Sequence, residues 1–280
     1  MVEDVFRGSA AVAAGMITPG KLRGAAVQRL FQDTYVRAGV RIDHVVRCRG
    51  ATCALPDGAV VTGRSAATVR GVRLAWPEDD VEILAPPEMR LGRRTGLDVR
   101  RSPVASGDAE PWAHGLLAMP MRLTLDLLLG RPLPDAVAGL DAVLRAGLVE
   151  RGAVAAMVAG RSDNGIVAAR RAVELADPRA EAVPESKLRV VLVLAGLEPV
   201  PQFWIEDRTG RLVCVDLAFP ERKVAVEYDG DWRDGERWAL NKDRDRLNRV
   251  RAAGWEVVFV TAPLLRNERA LVRTVREALT

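Results

Sequence analysis

Apolar and polar residues follow different rhythms along this chain of 280 residues, and the clearest pattern lies in its last hundred. Pro184 to Gly196 predicts a helix stopped by a C-terminal glycine. Pro201 to Ile205 predicts a strand, followed by a turn at Asp207 to Gly210. Val213 to Gly230 predicts two short strands around a turn at Pro220-Glu221-Arg222, because side chains alternate in type on both sides of that turn. Residues 234 to 253 predict a long helix ended by Gly254, Trp255 to Thr261 a strand, and Leu264 to Leu279 a closing helix. The order αβββαβα describes an α/β or α+β domain with a mixed central sheet.

The first part of the chain is less regular. Ser9 to Gly15 predicts a short helix. Thr18-Pro19 offers an N-cap and a first-turn proline to a basic helix over Lys21 to about Arg29. Phe31 to Arg37 then predicts a strand. Helix, turn, basic helix and strand is the order of a winged helix-turn-helix, which makes Lys21, Arg23 and Arg29 candidate DNA contacts. The plainer reading is a small helical subdomain with a solvated basic face. Residues 59 to 71 contain another Thr/Ser-rich helix start. Val81 to Ala85 and Leu97 to Arg101 alternate as strands do. Thr124 to Leu129 and Pro134 to about Ala146 predict helices, with Leu140, Val143, Leu144 and Leu148 as core positions. The domain boundary is expected near residue 180, giving a region 1–180 and a domain 181–280.

Composition narrows the chemistry. The net charge of +4 permits nucleic-acid binding without requiring it. Three cysteines, Cys48, Cys53 and Cys214, are too few and too scattered for a disulfide framework, and they fit a reducing cytoplasm. The two histidines, His44 and His114, both precede residue 180, so the second domain has no histidine base for a Ser-His-Asp or Cys-His hydrolase. The acidic N-terminus is unlike a secretory signal, and no apolar run approaches the roughly 20 residues needed to span a bilayer.

Acids then dominate the picture. Asp216 sits between Val215 and Leu217 in the middle of an apolar strand. Glu227 and Asp229 share one face of the next strand, and Val226 and Tyr228 share the other. The hairpin can bring three carboxylates together beside a hydrophobic sheet. Converging like charges repel, and a hard divalent cation such as Mg2+ or Mn2+ is the usual compensation.

The order of elements, with Glu185 in the first helix, Gln202 on the first strand, Asp216 on the second and Glu227-Tyr-Asp-Gly230 on the third, resembles the PD-(D/E)XK nuclease superfamily. Lys242-Asp-Arg-Asp-Arg-Leu-Asn-Arg249 and Ala253-Gly-Trp255 bring it nearer to the Vsr-like (very-short-patch-repair-type) branch. This resemblance covers roughly residues 181 to 280. It implies an αβββαβ restriction-endonuclease-like domain and Mg2+ held by Asp216, Glu227 and Glu185. It also implies a catalytic group of Glu185, Gln202, Asp216, Glu227 and Asp229, with Lys242 and Arg246 toward DNA. The chain departs from the pattern twice: Asp229 stands where the third motif normally has lysine, and no histidine follows Asp229-Gly230. Lys187, Lys223 or Lys242 are candidates for the missing charge. The stretches Phe6-Arg-Gly-Ser-Ala10, Phe31-Gln-Asp-Thr-Tyr-Val36 and Val61-Thr-Gly-Arg-Ser-Ala-Ala67 resemble an AbiEi-type antitoxin. That likeness implies a DNA-binding winged helix and leaves room for a protein partner. Two functions follow as expectations: a Mg-dependent DNA endonuclease, or a non-catalytic DNA-binding regulator on a relic nuclease fold.

Overall fold

The structure, a computed structural model, describes residues 4–92, 94–207, 209–210, 212–230, 246 and 248–280. Most of the helix expected over residues 234 to 253 lies outside these, as do Lys242 and the tryptophans Trp232 and Trp238. The protein mixes α and β structure and divides into two compact units, Met1–Gly130 with Ala146–Ile166 and Arg131–Arg145 with Val167–Thr280. The boundary expected near residue 180 therefore falls inside the second unit.

The first unit opens with β1 (Val5–Arg7) and α1 (Gly8–Ala13), then β2 (Val27–Phe31) and β3 (Thr34–Arg37). These strands make an antiparallel sheet in the order β1-β3-β2. The basic helix expected over Lys21 to Arg29 does not form. Lys21–Arg23 makes one 3-10 turn, and Arg29 lies on β2. Gly20 and Gly24 flank that turn and weaken any helix there, whereas Val27 and Phe31 favour a ladder. The β2–β3 connection closes through Asp33, whose φ of 56° suits the left-handed conformation of tight hairpins.

A helix that the sequence pattern does not announce follows, α2 (His44–Ala54), capped by Asp43, which accepts from the Val46 N–H at 2.8 Å. Its buried residues include Cys48, Gly50, Ala51, Cys53 and Ala54, so it has no single apolar stripe. The second sheet comprises β4 (Val60–Val61), β5 (Val81–Ala85), β6 (Leu97–Arg101), β7 (Ala109–Trp112) and β8 (Gly115–Ala118), in the order β6-β5-β4-β8-β7. Helices α3 (Gly63–Val69) and α4 (Pro120–Leu128) belong to the same unit.

Several buried carboxylates and other polar groups of this unit are paired. Asp126 accepts from Thr62 Oγ1 at 2.5 Å and from Arg122 Nε at 3.2 Å, and it also pairs with Arg100. Arg122 reaches Asp108 at 3.0 Å and the Pro103 carbonyl at 2.9 Å. Glu82 holds Arg64 through Nε at 2.6 Å and the backbone N–H at 2.8 Å. His44 lies between the Trp76 carbonyl and Ser65 Oγ, each 2.8 Å from a ring nitrogen.

The next helix, α5 (Leu133–Arg145), belongs to the second unit, α6 (Arg151–Ala159) to the first, and α7 (Ile166–Leu175) begins at the division between them. The second unit continues with α8 (Val183–Leu194), β9 (Val200–Glu206), β10 (Leu212–Phe219) and β11 (Val224–Asp229), then β12 (Glu256–Thr261), α9 (Ala262–Arg266) and α10 (Glu268–Ala278). The sheet order is β12-β11-β10-β9, with β9, β10 and β11 antiparallel and β12 parallel to β11. Lys223, at φ 51°, closes the β10–β11 turn. Leu188 and Leu192 of α8 pack with Leu217, Phe219, Val224, Val226, Val260, Leu271 and Val275 on one side of the sheet. Ile205, Val213, Val215, Ala225 and Val250 form a separate core.

Candidate acidic site

Strand alternation breaks where the acids gather. Val213 and Val215 of β10 join one core, whereas Leu217 and Phe219 join the other. A regular strand would put all four on one face, so its phase slips at Asp216. Opposite it, β9 is irregular as well. The register runs unchanged from Leu212–Glu206 to Ala218–Val200 and skips only the Asp216–Gln202 position. Gln202 there has φ 50°, a left-handed conformation that costs a non-glycine residue about 1–3 kcal/mol. Such irregularities re-aim side chains, and they gather beside functional sites.

The re-aimed groups meet the start of α8. Pro184 opens that helix, which puts Glu185 in its first turn. Glu185 Oε2 accepts from the Glu181 N–H at 2.8 Å and from Gln202 Nε2 at 3.1 Å. Cys214 Sγ donates to Gln202 Oε1 at 3.3 Å. Asp216 Oδ2 accepts from the Tyr228 N–H at 2.8 Å, one residue beyond Glu227. Three elements thus bring Glu185, Gln202, Cys214 and Asp216 together.

The charges there are poorly balanced. Burial, then the negative charge of Glu185, pushes the Asp216 carboxyl up from 3.8 to about 7, and Glu181 adds to the rise. The Tyr228 N–H and Arg246 oppose it without cancelling it. Glu185 itself is raised, first by burial and also by the charge of Glu181. Burial and the charges of Glu181, Asp216 and Glu227 raise the Cys214 thiol.

Glu227 is buried and differently placed. Arg246 Nη1 donates to its Oε1 at 3.1 Å and Nη2 to its Oε2 at 3.0 Å, while Nη1 also reaches the Cys214 carbonyl at 2.6 Å. Asp229, at the end of β11, is exposed. The three-carboxylate convergence expected of Asp216, Glu227 and Asp229 is therefore not formed. Among the described residues no three His, Cys, Asp or Glu side chains are grouped to hold a metal ion. The physical reason is that Glu227 already has a bidentate cationic partner.

The expected DNA contacts divide in the same way. Lys21, Arg23 and Arg29 are exposed, although not on one helix. Arg246 faces into the acidic site, and Lys242 lies outside the described residues. Sequence reading missed Glu181 and Cys214. The signal available for Glu181 was its place four residues before Glu185; Cys214 offered none beyond adjoining the Asp216 strand.

No protein-family profile matches the chain. Two curated Mycobacterium tuberculosis proteins are similar to it: uncharacterized protein MT2308 (strain CDC 1551 / Oshkosh) and uncharacterized protein Rv2248 (strain ATCC 25618 / H37Rv). Each is 29% identical over 229 residues, which is 80% of this chain and 77% of theirs. Among solved structures, that of the RV2827C protein from Mycobacterium tuberculosis matches at 20% identity and a TM-score of 0.40. The match covers 71% of this chain and 78% of that one.

Proposed function

We propose that the second unit is a PD-(D/E)XK-type, Vsr-like nuclease domain that hydrolyses phosphodiester bonds in DNA with Mg2+ or Mn2+, and that exposed basic residues of the first unit assist DNA contact. The observation that carries this reading is the incompletely balanced pair of Asp216 and Glu185 at a break in the sheet, where Asp216 is driven up to about 7. A protein that keeps like charges together in a half-buried place, against the cost of burial, has a use for the charge. The order αβββ, a helical stretch through 248–252, then β and α agrees with the proposed fold.

The donors fit one hard cation. Mg2+ commonly takes one or two carboxylates and completes its shell with water and substrate phosphate, so the lack of a three-acid cage among the described residues is no obstacle. Glu185 and Asp216 would hold it, and it would supply Lewis acidity and a more acidic bound water. The chain's own residues do the rest. Gln202 orients Glu185 through its amide. The Tyr228 N–H fixes Asp216. Burial and the charge of Glu185 raise the Asp216 carboxyl toward neutrality. Lys21, Arg23 and Arg29 would bind phosphates without reading sequence.

The bidentate engagement of Glu227 by Arg246 favours a second reading, a DNA-binding regulator or antitoxin whose nuclease fold is a relic. A cleavage assay decides between them. Single-stranded, double-stranded and mismatched DNA are incubated with Mg2+ or Mn2+, with Asp216→Ala as the control. The nuclease reading expects cutting that Asp216→Ala abolishes while DNA affinity stays nearly unchanged. Tight binding with no cutting under any divalent ion leaves the regulator.

A further inference from the structure

The geometry at Glu227 assigns a task to Arg246. We propose that its guanidinium stands where a second cation would bind, so that Glu227 is withheld from ion ligation and the site takes a single divalent ion on Glu185 and Asp216. This rests on the ion-binding reading of the second unit.

Both carboxylate oxygens of Glu227 accept from Arg246, at 3.1 and 3.0 Å, and the same guanidinium is anchored on the Cys214 carbonyl at 2.6 Å. A fork held at three points on two strands is a fixed charge, unlike a mobile surface lysine. Glu227 is buried at 5% exposure, so leaving it without a counter-charge would be costly. Of the lysines that could supply charge here, Lys187 is paired with Asp135, and Lys223 sits at the β10–β11 turn, away from the strand end that carries Glu227. The third-motif position itself holds an acid, Asp229. Arg246, in the stretch before β12, is a cation among the described residues that meets both oxygens of Glu227. A carboxylate that already serves a planar fork has one lone pair of each oxygen engaged, and the fork's charge repels a second cation nearby.

Mn2+ binding to the full-length protein tests this by calorimetry or by loss of the free-ion electron paramagnetic signal, with folding checked by thermal melting. Arg246→Gln should bind Mn2+ about ten-fold or more tightly than wild type, or gain a second ion, because a cation is removed and a carboxylate released. Adding Glu227→Gln to that variant should cancel the gain. Glu227→Gln alone unpairs Arg246, so it should keep the wild-type stoichiometry of one ion and lose clearly less affinity than Asp216→Asn, since Glu227 is not a ligand in this chain. Unchanged or weaker binding in Arg246→Gln overturns the proposal, and so does a loss in Glu227→Gln as large as that in Asp216→Asn. If Arg246→Gln does not fold, the Glu227→Gln arm decides. If wild type neither binds Mn2+ nor cuts DNA, the nuclease reading fails on its own. The single-ion part of the proposal falls with it, and Arg246→Gln then decides the part about Arg246: Mn2+ binding that appears there upholds the blocking role of the guanidinium, and its absence overturns it.

Discussion

The first unit and the Asp216 site of the second bury charge in opposite ways. In the first, Asp126 is surrounded by Thr62, Arg100 and Arg122, and Glu82 is met twice by Arg64. In the second, Asp216 faces Glu185 and Glu181, and its carboxyl rises to about 7. Burial alone therefore does not mark a site. The first arrangement spends its charges on holding loops and strands together, and a satisfied network of this kind is structural. The second leaves like charges opposed, at a position where β9 accepts a strained Gln202. On the proposed reading, unbalanced charge joined to backbone strain marks a place for a ligand rather than a knot in the core.

The largest effect that could break this comparison is on stability. Asp126→Ala removes the carboxylate that Thr62, Arg100 and Arg122 share and should destabilise the fold by about 3–5 kcal/mol in urea unfolding. Asp216→Asn keeps an acceptor for the Tyr228 N–H and removes the repulsion. It should stabilise the fold above pH 7 by about 1–3 kcal/mol. If both substitutions destabilise equally, the two kinds of burial are not different.

The pH dependence sharpens the contrast, because the signs are opposite. Asp216 has a folded-state pKa above its ordinary 3.8, so between about 4 and 7 the native state holds more protons than the unfolded one. Its contribution to stability accordingly falls as pH rises through that window. Burial lowers the pKa of His44 below 6.5, so the unfolded state binds the proton more readily and the histidine's contribution is lost as pH drops below 6.5. Melting curves of Asp216→Asn and His44→Gln should each lose one limb of the profile. Loss of the same limb in both would contradict the assignment.

A smaller effect is expected in DNA affinity. Reversing charge at Lys21, Arg23 and Arg29 should weaken binding across sequences and flatten the salt dependence by about one for each phosphate contact removed. Fluorescence anisotropy at several salt concentrations reads both, and an unchanged slope would place DNA contact elsewhere.

Much of the second unit was legible because its strands alternate and its helices end on glycine. Leu217, Phe219, Val224 and Val226 could be assigned to a core from pattern alone. What pattern could not show was the phase slip at Asp216, which depends on the strain at Gln202 across the ladder. Nor could it show that Arg246 would claim Glu227, since that pairing joins residues 19 apart in sequence. In the first unit, α2 was hidden because small residues are buried around several of its sides. The basic helix over Lys21 to Arg29 was overread because glycines at 20 and 24 outweigh a plausible cap at Thr18.

The central claim is that the opposed acids of the second unit await a divalent cation. Thermal melting in millimolar Mg2+ against chelator tests it most directly, in wild type and in Asp216→Asn with Glu185→Gln. A ligand that binds only the folded state must raise its melting temperature. The account expects a clear rise in wild type and none in the double variant. An equal rise in both, or no rise in wild type, would contradict it.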